Sequence, residues 1–324
     1  MNEASIVAKS FFSINAQEVA PLEGYYDQNF RIDSEKGRFV LKIWNLHQKT
    51  EFLDLQEKVM NTLSMAEIRC PRLLETAQGG TSARLSIEGQ PPYLAQMLTW
   101  VEGVQWSEAA SQGPEAFFKL GGFLARLTQV LMPISHPAAL REFKWDLRFT
   151  GQSRPHLGAV ASTRRRRIAT HFLDSFESRV KTKLDDLDRS LIHNDVNAFN
   201  VFLDESATNP LGIIDFANLV RSATVGELAV GTAYGILDQP DPLRSAASIV
   251  RGYSAIRPIG EREVDLLYDL IALRLVASVL NSAHEQKLDP DNQYLHKCEE
   301  PGWTVLEKWI DIRPARALEL FRES

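Results

Sequence analysis

Cysteine is nearly missing from the 324-residue chain: Cys70 and Cys298 are the two, too few and too far apart for a disulfide framework or a thiolate zinc site. A reducing compartment is the simpler expectation, with ordinary packing for both thiols. The amino terminus, "MNEASIVAKSFFSINAQEV", lacks a basic segment followed by an apolar run. No window approaches the ~18 apolar residues of a membrane span, so a cytoplasmic protein is expected. Positive charge is scarce as well. With 36 Lys and Arg against 42 Asp and Glu, the formal charge of −6 provides no general attraction for nucleic acid or an anionic membrane. Internal repeats and low-complexity segments are also missing, and a solenoid is excluded with them.

What is present suffices for two cores. The chain is 44% hydrophobic, and single cores stop growing at about 250 residues. Residues 1–102 read mostly as strand. In "RFVLKIW", Phe39, Leu41 and Ile43 alternate with Val40, Lys42 and Trp44, the period of a strand with one face in a core. Lys42 then sits mid-strand on the other face. Upstream, Gly24 and a polar cluster mark a turn before Phe30 and Ile32 begin the next strand, which predicts a hairpin. Phe52, Leu55, Val59 and Leu63 fall at helical spacing and make the one helix expected in this part; "PYLAQMLTWVEG" is its last strand.

Residues 103–324 are mainly helical. Pro114 opens a helix with Phe117, Leu120, Leu124, Leu127 and Leu131 on one face, and a second amphipathic stretch runs from about Ala161 to Leu187. The run Arg164 to Arg167 reads as a solvated helix face. Val264, Leu267, Ile271, Leu275 and Leu280 describe a long helix from Glu261, and its charges Asp265, Asp269 and Arg274 argue for a core helix rather than a membrane span.

Between these helices lies "LIHNDVNAFNVFLD", followed after a turn by "GIIDF". Two short strands joined by a turn would hold Asn200 at the entry of one and Asp215 at the exit of the other. One amide oxygen and one carboxylate, completed by phosphate oxygens and water, satisfy magnesium. Asp195 would project from a loop at the same edge, placed to take a proton from a hydroxyl attacking phosphorus. His193 is better read as a buried imidazole that holds the loop than as a proton carrier. Singly, Asp195 is as well a turn former, Asp215 a strand-end residue and Lys42 a surface lysine. Their order, with a strand lysine upstream, is the minimum set for phosphoryl transfer.

These residues resemble the aminoglycoside phosphotransferase and choline kinase superfamily, whose fold is protein-kinase-like. "HNDVNAFN" is similar to its catalytic loop and "IIDFAN" to its metal-binding strand end. The resemblance covers nearly the whole chain. It implies an α+β, two-lobe fold: an N-terminal antiparallel sheet with one helix over 1–102, including the crossover, and a mainly helical catalytic and substrate-binding lobe over 103–324. It implies ATP and Mg2+, with Asp195 as catalytic base, Asn200 and Asp215 as metal ligands, and Lys42 on the ATP phosphates. The phosphate loop "GYYDQNFR" has a single glycine, so Gly24 would be helped by Gln28 and Asn29. Backbone groups of Met97, Leu98 and Trp100 would meet the adenine. Asn194 and Val196 stand where the family usually has glycine and leucine, Ala217 where protein kinases have glycine, and Gln56 where many relatives carry the glutamate that pairs with the strand lysine. Glu57 or Asp54 could take that role.

Within the superfamily, "GYYDQNF", "FLDLQ", "FKWDL", Arg274 and "PGW" resemble the hydroxylysine kinases and related bacterial kinases. The resemblance implies a small substrate bearing a hydroxyl and an amine, hydroxylysine or a similar hydroxylated amino acid. Homoserine, then choline, ethanolamine or an aminoglycoside, are the alternatives, and a silent ATP-binding pseudokinase scaffold is the non-enzyme reading. A zwitterionic acceptor needs partners for both charges, and Trp145, Asp146, Arg274 and Trp303, with Asp195, are the residues expected to supply them. Core positions for both tryptophans, and a buried helix partner for Arg274, are the competing readings.

Overall fold

Alternating apolar residues build the first part of the chain into an antiparallel sheet of five strands in the order β1-β2-β3-β5-β4. The computed structural model describes residues 3–24, 27–44, 50–86, 92–109, 113–290 and 299–323. Contacts divide the chain into two units: Met1–Ser64 with Arg69–Glu102, and Met65–Ile68 with Gly103–Ser324. The strands of the first are β1 (Ala16–Leu22), β2 (Gln28–Ser34), β3 (Gly37–Trp44), β4 (Ala83–Leu85) and β5 (Tyr93–Thr99). The β2–β3 hairpin pairs Asn29 with Lys42 and Phe30 with Leu41. One sheet face buries Ile32, Phe39, Leu41, Ala95 and Met97.

That face is covered by α1 (Glu3–Phe12) through Ala4, Ala8 and Phe12. The apolar spacing predicted one helix in this unit, α2 (Thr50–Met65); α1 is a second. Its stripe is short and two of its three buried positions are alanine, so hydrophobicity alone marks it weakly. Cys70 is half-buried and donates to the Met60 carbonyl at 3.3 Å. Burial pushes its thiol up to about 11, which makes it unreactive. Cys298 lies outside the described residues.

The second unit contains β6 (Val104–Gln105), β7 (Arg189–Ile192), β8 (Val201–Leu203), β9 (Pro210–Ile213) and β10 (Val220–Ala223). Its helices are α3 (Pro114–Leu131), α4 (Thr163–Ser175), α5 (Lys181–Asp185), α6 (Val225–Gly235), α7 (Pro242–Ser254), α8 (Glu261–Leu288), α9 (Glu299–Trp309) and α10 (Pro314–Arg322). A run of 3-10 turns spans Leu147–Ala159, and a π turn, Phe176–Val180, joins α4 to α5. β8 pairs with β9 on one side and with β6 on the other. Gly103 enters β6 at φ 133°, and a side chain there would collide with the Leu203 carbonyl, so glycine is required on both counts.

α8 is the central helix. Its most apolar 18-residue window has a mean hydropathy of 1.5, enough by composition to cross a membrane, which corrects the expectation that no window approaches a span. That window is 100% buried within the fold, as a core helix is. The arginine run is a second correction. Arg164 and Arg167 are exposed, but Arg165 bridges α4 to Glu300 and Glu307 of α9 at 2.5 and 3.1 Å, and Arg166 donates to the Val160 carbonyl. Two arginines of that face therefore brace the unit.

Candidate active site

The quoted loop is built on the β8–β9 hairpin. Asp204 closes its turn: its carboxylate accepts from the Thr208 amide at 2.9 Å and from the Asn209 side chain at 2.6 Å. These donors hold it well below the usual carboxylate range. At the other end the ladder pairs Val201 with Ile213, and the Ile214 amide donates to the Asn200 carbonyl at 3.0 Å. The hairpin thus brings Asn200 beside the strand end that carries Asp215. Asp215 takes a left-handed conformation, φ 62°, and accepts from the Ala217 amide at 3.3 Å. Aspartate and asparagine tolerate this region better than other side chains. Asn194 is also left-handed, φ 65°, a conformation asparagine takes more readily than most side chains.

Asp195 is gripped from two sides. Arg274 Nη2 donates to Oδ1 at 3.2 Å, and Asn200 Nδ2 donates to Oδ2 at 3.2 Å and to the Asp195 carbonyl at 2.9 Å. Burial pushes its carboxyl up to about 6, opposed by Arg274 and reinforced by Asp215. His193 is fully buried; the Asp195 amide donates to its Nδ1 at 3.3 Å, and its Nε2 lies 3.1 Å from the Ile214 carbonyl. This pattern suits the neutral ring protonated on Nε2, and burial pushes His193 down to about 4. The imidazole ties the two halves of the loop together, the role read for it in the sequence.

The donor set fits a hard cation. With its Nδ2 committed to Asp195, Asn200 has its amide oxygen left as a ligand, and Asp215 adds an exposed carboxylate on the adjoining strand end. Two oxygens, completed by water and phosphate, match the demands of magnesium.

Three residues expected to bind substrate are structural instead. Asp146 is 1% exposed; its carboxylate accepts from Arg148 Nε at 2.9 Å and Nη2 at 2.6 Å, from the Arg148 amide at 3.1 Å and from Ser222 Oγ at 2.5 Å. It caps the 3-10 run and has nothing left for an ammonium group. Trp303 is buried in α9 beneath the Arg165 guanidinium. Arg274 is 1% exposed and donates from Nε to Tyr234 Oη at 3.2 Å, from Nη1 to the Trp145 carbonyl at 2.6 Å and from Nη2 to Asp195. It is the buried partner of Asp195, not a carboxylate clamp facing a cleft. Trp145 is half-buried, its ring stacked near Arg274 and Lys144.

In the first unit Lys42 lies on β3 with Nζ 3.2 Å from Asp27 Oδ2 and 4.1 Å above the Trp44 ring. Asp54 is exposed, and Glu57 accepts from Thr81 Oγ1 at 2.7 Å. Asp27, just before β2, therefore supplies a carboxylate at the lysine. At Gly24 a Cβ would sit 2.6 Å from Asn29 Nδ2 and 2.8 Å from the Asp27 carbonyl, which favours glycine there. Gln28 and Asn29 begin β2, Gln28 exposed and Asn29 partly so. Some of the backbone groups expected at the adenine have partners within the sheet. Met97 is fully buried and its carbonyl accepts from Leu74, Leu98 pairs with Val40, and the Trp100 amide donates to the Arg38 carbonyl. β5 runs to Thr99, so the Met97 carbonyl and the Trp100 amide are engaged within the unit.

The sequence pattern of the "Phosphotransferase enzyme family" matches residues 18–267. The chain belongs to that family. This phosphotransferase is an ATP-dependent kinase of small molecules. It is 26% identical over 347 residues to hydroxylysine kinase of Mus musculus, covering 99% of this chain and 92% of that one. Homoserine kinase of Methylobacterium radiotolerans is 26% identical over 251 residues, 76% of this chain and 73% of that one. Among solved structures, amicoumacin kinase superposes with a TM-score of 0.72 at 13% identity, over 98% of this chain and 97% of that one, which shows the shared fold.

Two residues of the phosphotransferase were not singled out in the sequence. Glu227 of α6 is wholly buried and accepts from the His193 amide at 2.5 Å and the Asn194 amide at 3.3 Å. Burial pushes it up to about 7 against those donors and Arg274. One carboxylate within "TVGELAVGTAYG" is the available signal, since an acid in an apolar, small-residue helix needs buried partners. Asp27, just before β2, carries no such signal.

Proposed function

We propose that this kinase transfers the γ-phosphoryl group of ATP to the hydroxyl of a small amino acid, hydroxylysine or a close analogue. The observation that carries the chemistry is the juxtaposition of Asp195, Asn200 and Asp215 at one edge of the β8–β9 hairpin, with Asp195 held by both Arg274 and Asn200. In this reading Asp195 accepts the proton of the attacking hydroxyl. The Asn200 amide oxygen and the Asp215 carboxylate hold Mg2+, which when bound neutralises phosphate charge. Lys42, on β3, is the residue that would meet the ATP phosphates. Arg274 and Glu227 are positioning residues, one fixing the carboxylate and the other the loop backbone. Similarity to the hydroxylysine kinase over nearly the full length supports the acceptor class. The test is ADP release with hydroxylysine, homoserine, ethanolamine, choline and an aminoglycoside at equal concentration. Hydroxylysine should lead; choline or ethanolamine ahead of both amino acids refutes the acceptor class and leaves the kinase.

The Arg274–Asp195 pair has a pH signature. Asp195 works as a base only when ionised, so kcat/KM should fall as pH drops through about 6. Arg274 opposes the upward push of burial. In Arg274→Met that opposition is gone, the carboxyl rises further, and the acidic limb should move to higher pH, whereas Arg274→Lys should hold it near its place. A limb at the same pH in Arg274→Met rules out this electrostatic role.

A further inference from the structure

α8 is apolar and buried along most of its length, yet Arg274, Ser278, Asn281 and Glu285 recur at spacings of four, three and four, which places them on one face. The segment before and within the 3-10 run lies along this polar seam. At one end Arg274 holds Asp195 and the Trp145 carbonyl. Further along, Ser153 and His156 meet Asn281 Oδ1 at 3.3 and 3.0 Å. At the far end Lys144 Nζ and Glu285 Oε1 are 2.7 Å apart and remain 31% and 23% exposed. The Trp145 ring lies between the ends, 5.3 Å from Arg274 Cζ and 5.6 Å from Lys144 Nζ. The ring therefore lies close both to the guanidinium that positions the base and to a partly exposed ammonium.

We infer that Lys144 and Glu285 form the head-group subsite of the acceptor, Lys144 taking the carboxylate and Glu285 the ammonium of an amino acid whose hydroxyl meets Asp195. This rests on the proposed function and names the residues that would make it selective. An ion pair is the natural receptor for a zwitterion, since each member gains an opposite charge without losing its own partner. A second observation points to a ligand. Asn281 Nδ2 is buried and has no hydrogen-bond acceptor among the described residues, although the same amide's oxygen is engaged. Buried donors are nearly always paired, and Asn281 lies one turn from Glu285 on the same face. A carboxylate on Lys144 is an acceptor of the kind this donor lacks. His156 stacks on His284 at 4.0 Å, and burial and that neighbour hold it below its ordinary value, so it stays neutral and leaves the positive charge to Lys144.

The competing role for the pair is a brace between the loop and α8. Charge reversal separates the two, because Lys144→Glu with Glu285→Lys keeps an ion pair while inverting the receptor. The measurement is kcat and KM for hydroxylysine and for its decarboxylated analogue, with melting temperature as the structural readout. Lys144→Met should raise KM for hydroxylysine about tenfold or more relative to the analogue. The doubly reversed protein should melt like wild type without recovering that KM. If reversal restores the hydroxylysine KM, or if Lys144→Met raises both acceptors' KM alike, the pair is only a brace and the inference is wrong. Wild type that turns over the analogue but no hydroxylated amino acid overturns the proposed function, and the subsite with it.

Discussion

Asp195→Asn is expected to reduce turnover by ~10²-fold or more while nucleotide binding stays nearly intact, the usual scale for loss of a general base. The substitution is close to isosteric. One oxygen remains to accept from Arg274, and the backbone bonds of Asp195 to His193 and Asn200 are unaffected. What changes is the side facing Asn200, where an amide donor would confront Asn200 Nδ2 at a contact now 3.2 Å long. The loss should therefore appear in kcat, with the acidic limb near pH 6 gone because its titrating group is gone. Calorimetric titration of ATP with the variant separates binding from chemistry. Wild-type turnover by Asp195→Asn would remove the base from the mechanism and leave Arg274 and Asn200 gripping a structural carboxylate.

Local spacing carried most of what the sequence revealed. Strand alternation placed Lys42 within β3, and the order of Asp195, Asn200 and Asp215 around a hairpin is a statement about neighbours no more than twenty residues apart along the chain. Partners supplied by distant elements were not legible. Arg274 reaches Asp195 across 79 residues and Glu227 reaches His193 across 34, and nothing in the spacing of either loop says which face of α8 or α6 will arrive there. The substrate residues failed for a related reason. Trp303, Asp146 and Arg274 have the chemistry of a zwitterion receptor, but whether such groups meet ligand or protein depends on burial, and packing consumed all three. Gln56 shows the same limit: the sequence offered Glu57 and Asp54 of α2 as partners of Lys42, but a carboxylate that reaches it is Asp27, from outside that helix.

Asp215→Asn should abolish most of the magnesium dependence of ATP binding, with a loss of roughly 10²-fold in affinity for the magnesium complex, since neutralising phosphate charge is the cation's chief task in this chemistry. Asparagine is the informative choice over alanine. The residue is left-handed at φ 62°, a conformation asparagine accepts readily, and a carboxamide oxygen can still receive the Ala217 amide. The variant thus removes charge with the loop geometry kept. Titrating nucleotide with and without Mg2+ measures the effect directly, and the ligand-induced rise in melting temperature gives a second reading that needs no turnover. A separate consequence distinguishes a metal ligand from a residue that merely shapes the loop. Asp215 is one of the groups raising the Asp195 carboxyl, so in the metal-free variant that carboxyl should titrate below about 6, the reverse of the shift expected for Arg274→Met. Unchanged affinity for magnesium–ATP in Asp215→Asn would mean that the cation is held without this carboxylate, and the Asn200–Asp215 pair would no longer account for metal binding.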